Sequence, residues 1–234
     1  MRDVPSVKLA RADGARVIPG YLGGKTFGLR GALVSGSDVV STGAGELRDQ
    51  LDVLRAAVAS GPTTFQTHDD RFYQGAQVSN FEESYGESNF GRWVEIALEV
   101  VCGDPYAYEF AGHTATLAVT ASGQTLAVNN AANAAALPTI AVVFAGAGTV
   151  AATISNQTTG EAFTLTGGVA AGDVVAVNSQ KKTVTRTTDG ADRFLLFDGL
   201  FPRLVPGANT FSVQYLAGGD AVTGLNISWV NRWY

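Results

Sequence analysis

A strand of nine residues divides this chain, since apolar side chains occupy every second position from Val94 to Cys102. Such alternation, with a period of two, predicts a strand that buries one face. The turn sequence Gly103-Asp104-Pro105 follows at once, and proline has no N–H to continue a ladder of hydrogen bonds. We therefore interpret the strand as the last element of a first domain and residues 105–108 as a hinge into a second.

The composition differs between the two sides of this boundary. Residues 1–102 carry ten Lys or Arg and thirteen Asp or Glu, whereas residues 103–234 carry six and eight. The second part is rich in Ala, Val, Thr, Gly and Asn, which favours short strands joined by turns. The chain is predicted to be mainly β, with a first domain over residues 1–108 and a second domain over residues 109–234.

A single helix is predicted in the first domain, over Glu46–Ala59. Leu47, Leu51, Leu54 and Val58 recur at helical spacing and form one stripe, and such a stripe packs against another element. We expect that element to be a sheet, because one short helix cannot form a bundle. The predicted fold is a small β-sandwich or split barrel with one helix. Its predicted strands are Val4–Arg11, Lys25–Leu33, Thr63–Thr67, Arg71–Phe81 and Val94–Cys102.

The second domain is predicted to contain about ten short strands separated by turns rich in Gly, Asn and Asp. Regular short strands at this spacing predict a sandwich or a barrel. Asn129–Ala136, rich in Asn and Ala, is interpreted as a loop, with a short helix as the alternative. The predicted strands are Thr114–Val119, Thr125–Val128, Thr139–Phe144, Thr149–Ser155, Ala162–Thr166, Val174–Asn178, Thr183–Thr187, Arg193–Phe197, Thr210–Tyr215 and Leu225–Trp233.

The bulk composition disfavours several classes of protein. The net charge of −5 argues against a surface that holds duplex DNA. Cys102 is the single cysteine, which excludes an internal disulfide and any multi-cysteine zinc site. Its place on the apolar face of the strand predicts a small core residue. Neither a membrane-spanning run nor an apolar signal core is apparent, so we predict no membrane association and no secretion signal.

Two histidines are the first candidates for chemistry. His68 lies beside Asp69 and Asp70, a grouping that is compatible with a metal or acid–base site and equally with a solvated hairpin turn. His113 lies in a Gly-His-Thr run at the start of the second domain. We favour the turn for His68 and a surface or edge position for His113.

Carboxylates are the second candidates. Glu82 and Glu83, with Glu87 nearby, could suggest a pair for glycoside chemistry, but adjacent residues on a strand point apart. Three aspartates could line a calcium site or simply form turns, and we favour turns. These aspartates are Asp189, Asp192 and Asp198. We therefore predict no catalytic residue, no cofactor, no metal and no enzymatic activity.

Aromatic residues crowd the C-terminus, at Trp229, Trp233 and Tyr234, and Tyr215 is a possible neighbour. Trp229 and Trp233 are four residues apart and would share one face of a strand. β-Sandwiches that bind sugars use such rings as stacking platforms, whereas other sandwiches bury them in the core. We favour packing, and we retain these three aromatic residues as candidate sugar or partner contacts.

Four stretches are distinctive enough to compare with known families. The helix Glu46–Ala59 precedes a hairpin, and Gly91-Arg92-Trp93-Val94 leads the long alternating strand. Ala171–Val177 leads into a second hairpin that begins at Lys181. The fourth stretch, Phe201–Thr210, contains Pro-Arg-x-x-Pro-Gly-x-Asn and is the most specific of the four.

The residues of the fourth stretch have identifiable conformational roles. Pro202 and Pro206 favour an extended approach, Gly207 permits a turn, and Asn209 can bond the local backbone before the next strand. Taken together, the four stretches resemble the distal tail proteins of siphoviruses, the bacteriophages with long non-contractile tails. The resemblance extends over most of the chain.

This resemblance implies a structural role. Proteins of the family have an N-terminal domain that forms a ring, usually hexameric, around the tail channel, and a C-terminal galectin-like β-sandwich on the outside. The ring joins the tail tube to the tail-tip or baseplate proteins, and DNA passes through it. The expected location is the virion tail tip, after assembly in the host cytoplasm. The family has no catalytic residues to carry over.

Two functions therefore follow from the sequence. The leading interpretation is a structural tail protein that forms a homo-oligomeric ring. The alternative is a carbohydrate-binding β-sandwich module that contributes to recognition of the host surface through Trp229, Trp233 and Tyr234.

Overall fold

The computed structural model describes residues 6–8, 15–17, 24–34, 40–61, 64–66, 70–85, 93–215 and 222–234. The chain forms two compact units, Met1–Ala107 and Tyr108–Tyr234. The fold is mainly β, which confirms the predicted fold class. Among the described residues, no helix is both long and apolar enough to cross a membrane.

Among its described residues, the first unit contains antiparallel strands and one α-helix. β3, β7 and β6 form a sheet in that order, β4 and β5 form a hairpin, and β1 pairs with β2. The elements are β1 (Ser6–Lys8), β2 (Ala15–Val17), β3 (Lys25–Val34), α1 (Val40–Ala59), β4 (Thr64–Gln66), β5 (Arg71–Gln74), β6 (Ala76–Ser84) and β7 (Trp93–Cys102).

The helix packs through its predicted stripe. Leu47 and Leu51 are each 3% exposed and form a small apolar cluster with Val94 of β7. Leu54 is half-buried. The helix begins at Val40 rather than at the predicted Glu46. The sequence pattern does not reveal these first turns, because they contain two glycines and no apolar stripe.

The predicted strand Arg71–Phe81 is wrong as a single element, because the chain turns at Gly75. Gly75 has a φ of 64°, a left-handed conformation that suits glycine, and it separates β5 from β6, which belong to different sheets. Tyr73 on β5 and Cys102 on β7 belong to one buried cluster. Cys102 is 0% exposed and is therefore a core residue, as the alternation predicts, and this burial raises the pKa of its thiol.

The second unit is a β-sandwich. One layer contains the strands β14, β13, β10, β17 and β8 in that order, and the other contains β15, β12, β11, β16 and β9. The strands are β8 (Ala107–Ala118), β9 (Thr125–Asn130), β10 (Thr139–Phe144), β11 (Gly148–Asn156), β12 (Glu161–Val169), β13 (Val174–Asn178), β14 (Thr183–Arg186), β15 (Phe197–Gly199), β16 (Gly207–Tyr215) and β17 (Val222–Trp233).

A single apolar core lies between the two layers of this sandwich. Ile140 and Ile227 come from one layer, Phe163 and Phe211 from the other, and each is at most 1% exposed. Burying whole aliphatic and aromatic side chains contributes roughly 1.5–3 kcal/mol apiece before the entropy of ordering is counted. The core therefore accounts for the closure of this unit.

One predicted strand of the sandwich is wrong. Arg193–Phe197 contains a 3-10 turn, η1 (Phe194–Leu196), and only Phe197 continues into β15. The carboxylate of Asp192 accepts a hydrogen bond from the Phe194 amide at 2.9 Å, and Leu196 packs against Gly167. This local side-chain bond and a glycine that leaves room for a leucine explain the turn, and neither is visible in the periodicity of the sequence.

Candidate interaction surfaces

The three-stranded sheet of the first unit carries opposite charges on its two outer strands. β3 contains Lys25 and Arg30 and no acid, whereas β6 contains Glu82 and Glu83 and no base. Each strand pairs with β7 on one side, and within the described residues no strand pairs with its other side. Open edges of this length invite a further strand.

One face of this sheet is polar and exposed. Arg30 lies opposite Ala97, and Ala97 lies opposite Glu82, so that the two charged residues share a cross-strand row. Glu95 and Glu99 occupy the neighbouring rows on β7 and are exposed. Three carboxylates against one guanidinium make the face acidic.

The other face of the sheet receives the helix. Arg55 donates to both carboxylate oxygens of Glu83, from Nε at 2.8 Å and from Nη2 at 2.6 Å. This pairing holds the pKa of Glu83 below its ordinary value, chiefly through the hydrogen bond from Arg55. Glu82 is exposed on the polar face, so the adjacent glutamates point apart, as predicted.

The structure describes only some of the metal and acid–base candidates. His68, Asp69 and Glu87 lie outside the described residues. Asp189 accepts hydrogen bonds from the Arg186 guanidinium and from the Ala191 amide, and its pKa is well below the usual range because of Arg186. In the part of the chain that the structure describes, no group of three or more metal-ligating side chains comes together.

The C-terminal aromatic residues occupy different environments. Trp229 is only 8% exposed, and its ring stacks on His113 at a centroid distance of 5.4 Å. Trp233 is half-buried, and Tyr234 is 58% exposed. The burial of Trp229 agrees with the favoured packing in the core, and a contact of this ring with a sugar stays a prediction. Contacts of Trp233 and Tyr234 with a sugar or a partner stay a prediction.

A polar network surrounds Trp229, and the sequence pattern does not predict most of its members. The indole Nε1 donates to Asn231 Oδ1 at 3.2 Å, and Asn231 Nδ2 donates to Glu109 Oε2 at 2.9 Å. His113 Nε2 lies 2.8 Å from the same oxygen. Asn231 Nδ2 also lies 2.9 Å from His113 Nε2, so Asn231, Glu109 and His113 form one polar cluster. His113 is thus a partner of Glu109 whose side chain is still 37% exposed, which is compatible with the predicted surface or edge position.

The distinctive Pro-Arg-x-x-Pro-Gly-x-Asn stretch forms a buried network around Asn209, which is 1% exposed. The Asn209 amide donates to the carbonyls of Val205 and Gly207 at 2.8 and 3.0 Å, and its Oδ1 accepts from the Val205 amide. Asn156 adds a bond to the same Oδ1 at 3.2 Å. The predicted local backbone bonding of Asn209 is confirmed.

Comparisons with known proteins agree with this architecture. Residues 131–233 match the family model of the siphovirus-type tail component, C-terminal domain, called SPP1 Dit. The fold is similar to the crystal structure of SPP1 Dit (gp 19.1), described as a paradigm of the hub adsorption apparatus in phages that infect Gram-positive bacteria. That likeness has a TM-score of 0.69 at 18% identity and covers 99% of this chain and 88% of the other. No curated protein sequence matches the chain.

These two findings concern different lengths of the chain. The sequence match covers the greater part of the sandwich, whereas the structural likeness covers both units and, at this low identity, speaks for the fold alone. The resemblance of this chain to the distal tail proteins of siphoviruses, of the Dit type, is therefore confirmed.

Proposed function

We propose that this protein is a structural hub of a siphovirus tail. Copies of the chain close into a hexameric ring that joins the tail tube to the tail-tip or baseplate proteins, and DNA passes through its channel. The protein acts without catalysis. It is located at the tail tip of the virion, after assembly in the host cytoplasm.

The observation that carries this proposal is the pair of open, oppositely charged strand edges in the first unit, on a fold shared with a phage hub protein. β3 and β6 are both antiparallel to β7 and therefore run in the same direction. Rotation about a ring axis would place β6 of one copy beside β3 of the next in a parallel pair. Arg30 and Glu82 would then attract each other across every junction.

Such a junction joins two different surfaces of identical chains. Contacts of this kind generate a closed ring when the rotation between neighbours divides a full turn, and closure leaves no strand edge free. The exposed apolar residues on β3 support the same assignment, since Leu29 and Val34 are 40% and 63% exposed in the isolated chain. The first domain, residues 1–108, is thus the proposed ring-forming domain.

The acidic face of this sheet suits the wall of a DNA channel. Glu82, Glu95 and Glu99 outnumber Arg30 on that face. Phosphate groups bind to clustered lysine and arginine and are repelled by carboxylates. A channel lined by this face would let DNA slide without holding it.

The second domain, residues 109–234, is a complete sandwich and is proposed to be the galectin-like domain of the family. Its closed core leaves its outer surfaces available to tail-tip or baseplate proteins. The burial of Trp229 does not favour the carbohydrate-binding alternative.

The test is the mass and shape of the purified full chain. Light scattering coupled to size-exclusion chromatography is expected to give a mass of several protomers, and negative-stain images are expected to show rings. A monomer by both methods at every accessible concentration would contradict the proposal.

A charge-swap series tests the proposed junction. Arg30→Glu and Glu82→Arg are each expected to weaken assembly, because each places like charges across the junction. The combined variant is expected to restore it. Glu99→Gln is the matched control, because Glu99 lies on the central strand β7 and not on an edge. Equal assembly of all four variants would exclude β3–β6 pairing while leaving other ring contacts open.

A further inference from the structure

An exposed apolar patch lies around η1 and β15 of the second unit. Leu195 is fully exposed, Leu200 is 61% exposed and Phe194 is 47% exposed, and the ring of Phe201 lies beside them half-buried. We call these four residues the 194–201 patch. Adjacent exposed Leu and Phe side chains are unusual on a surface that meets only water, and they commonly mark a contact site.

The patch has a rigid support. The ring of Phe197 stacks on Phe201 at 4.4 Å and on the buried Phe163 at 5.4 Å, which ties the patch to the core. The Leu200 amide donates to the Ala162 carbonyl at 2.8 Å, and the Asn209 network fixes the stretch that follows. A preorganised surface loses little conformational entropy when it binds.

A cation lies at the rim of the patch. Lys182 Nζ is 4.8 Å from the centroid of the Phe201 ring. Lys182 is also the single described non-glycine residue with a positive φ, 56°, so the tight turn holds this lysine at some conformational cost. Among the described residues, no carboxylate forms an ion pair with Lys182, and Glu161 and Asp189 already pair with Arg203 and Arg186.

An open strand edge adjoins the patch. β15 is the terminal strand of its layer and pairs with β12, and no strand covers its other side in the described part of the chain. An extended peptide can satisfy the free backbone groups of such an edge by adding a strand. A lipid surface cannot do so, since hydrocarbon offers no hydrogen-bond partner. The edge therefore favours a protein partner over a membrane.

We propose that the 194–201 patch and the β15 edge together dock an extended segment of a partner protein that carries apolar side chains and a carboxylate. The segment adds as a strand beside β15. Its apolar side chains cover Leu195 and Leu200, and its carboxylate meets Lys182. This site belongs to the second domain and does not depend on ring formation by the first.

The experiment is a selection of random nine-residue peptides displayed on a carrier against the purified full chain. The enriched peptides are expected to share apolar residues at alternate positions and at least one Asp or Glu. Their affinity for the Leu195→Ser/Leu200→Ser double variant is expected to fall at least about tenfold, the effect of removing buried interface anchors.

Charge reversal supplies the second readout. Lys182→Glu is expected to abolish the preference for acidic peptides and to favour Lys or Arg at the same peptide position. Lys181→Glu is the matched control, because it makes the same charge change at the exposed neighbouring position, whereas Lys182 is the lysine that lies over the Phe201 ring; this change should keep the acidic preference. Val53→Ser, an exposed apolar change in the first unit, controls for general loss of apolar surface.

Several outcomes would overturn the proposal. The first is a selection in which the full chain enriches no more peptides than the Leu195→Ser/Leu200→Ser double variant does. The second is a set of enriched peptides that bind the double variant with the same affinity. The third is a preference for acidic peptides that persists in Lys182→Glu. Vesicles of phosphatidylglycerol and phosphatidylcholine and a glycan array are tested with the same variants. Patch-dependent binding to either would assign the patch to that ligand class, and patch-dependent self-association in sedimentation would assign it to a second copy.

Discussion

The two units of this chain differ in how far each closes on its own core. The sandwich places Ile140, Phe163 and Phe211 at 0–1% exposure within one continuous cluster. The first unit has two small clusters among its described residues, and most of β3 remains exposed. The sandwich thus has a continuous core of its own, whereas the sheet of the first unit has edges and apolar surface that a neighbour could cover.

Separation of the units is the strongest test of this contrast. The fragment Tyr108–Tyr234 is expected to be a folded monomer with one cooperative unfolding transition, because its core is internal. The fragment Met1–Ala107 is expected to assemble, because its strand edges are open. Sedimentation velocity and circular dichroism check both. Assembly of Tyr108–Tyr234, together with a folded monomer of Met1–Ala107, would reverse the assignment of the ring.

A large-to-small change in the sandwich core is expected to have the next largest effect. Phe163→Ala should lower the free energy of unfolding of the second unit by about 3–5 kcal/mol, since it leaves a cavity in a dense core. The measurement is urea denaturation followed by fluorescence. Leu195→Ala is the control, and its effect should stay within about 0.5 kcal/mol because Leu195 is fully exposed.

The corresponding change in the first unit is expected to cost less. Leu51→Ala should destabilise that unit by about 2–3 kcal/mol, the lower part of the range for a buried leucine, because its cluster is small. Val53→Ala, on the exposed side of the same helix, should change stability by under about 0.5 kcal/mol. Equal effects at the two positions would mean that the leucine stripe does not pack on the sheet.

Loss of the buried amide at Asn209 tests the support of the 201–210 stretch. Asn209→Ala should lower the stability of the second unit by about 1–3 kcal/mol, because it leaves backbone groups of Val205 and Gly207 without their partner. Asn226→Ala, at an exposed position on β17, is the matched control. A neutral result in thermal and urea unfolding would mean that the stretch holds its conformation without the amide.

The smallest expected effect is a pH dependence of the first unit. The folded pKa of Glu83 is lowered by Arg55, so its contribution is present above the unfolded pKa of about 4.3 and is lost as the pH falls through the folded value. Glu83→Gln should remove this part of the pH dependence. The effect is small because the Arg55 side chain is 47% exposed. Parallel pH profiles of melting temperature for wild type and variant would contradict it.

Sequence patterns predicted those elements whose signal is local. Val94–Cys102 is part of β7, and the predicted bounds of Thr139–Phe144 and Val174–Asn178 are those of β10 and β13. Alternation needs only neighbouring residues to be visible. The role of Asn209 was also predictable, since three of its hydrogen bonds stay within four residues.

The remaining features depend on residues that are distant in sequence. Asn231 donates a hydrogen bond to Glu109, 122 positions away in the sequence, and no local sequence pattern predicts such a pair. The burial of Trp229 depends on its stacking against His113, which sequence spacing cannot show. The 194–201 patch is hidden for a related reason, since the continuous apolar run Phe194–Phe197 resembles a buried strand, whereas the chain forms a 3-10 turn there.

The position of β17 has a consequence for biosynthesis. This strand is formed by residues 222–233, yet it lies in the interior of its layer, between β10 and β8. Thr139 therefore pairs with Ser228, a residue synthesised almost ninety positions later. During synthesis, the central hydrogen bonds of this layer cannot form until β17 has left the ribosome. Until then, the edges of β10 and β8 that pair with β17 remain open. The sandwich is consequently expected to finish folding late, and a chain interrupted before β17 would present the open edges of β10 and β8 to other nascent chains.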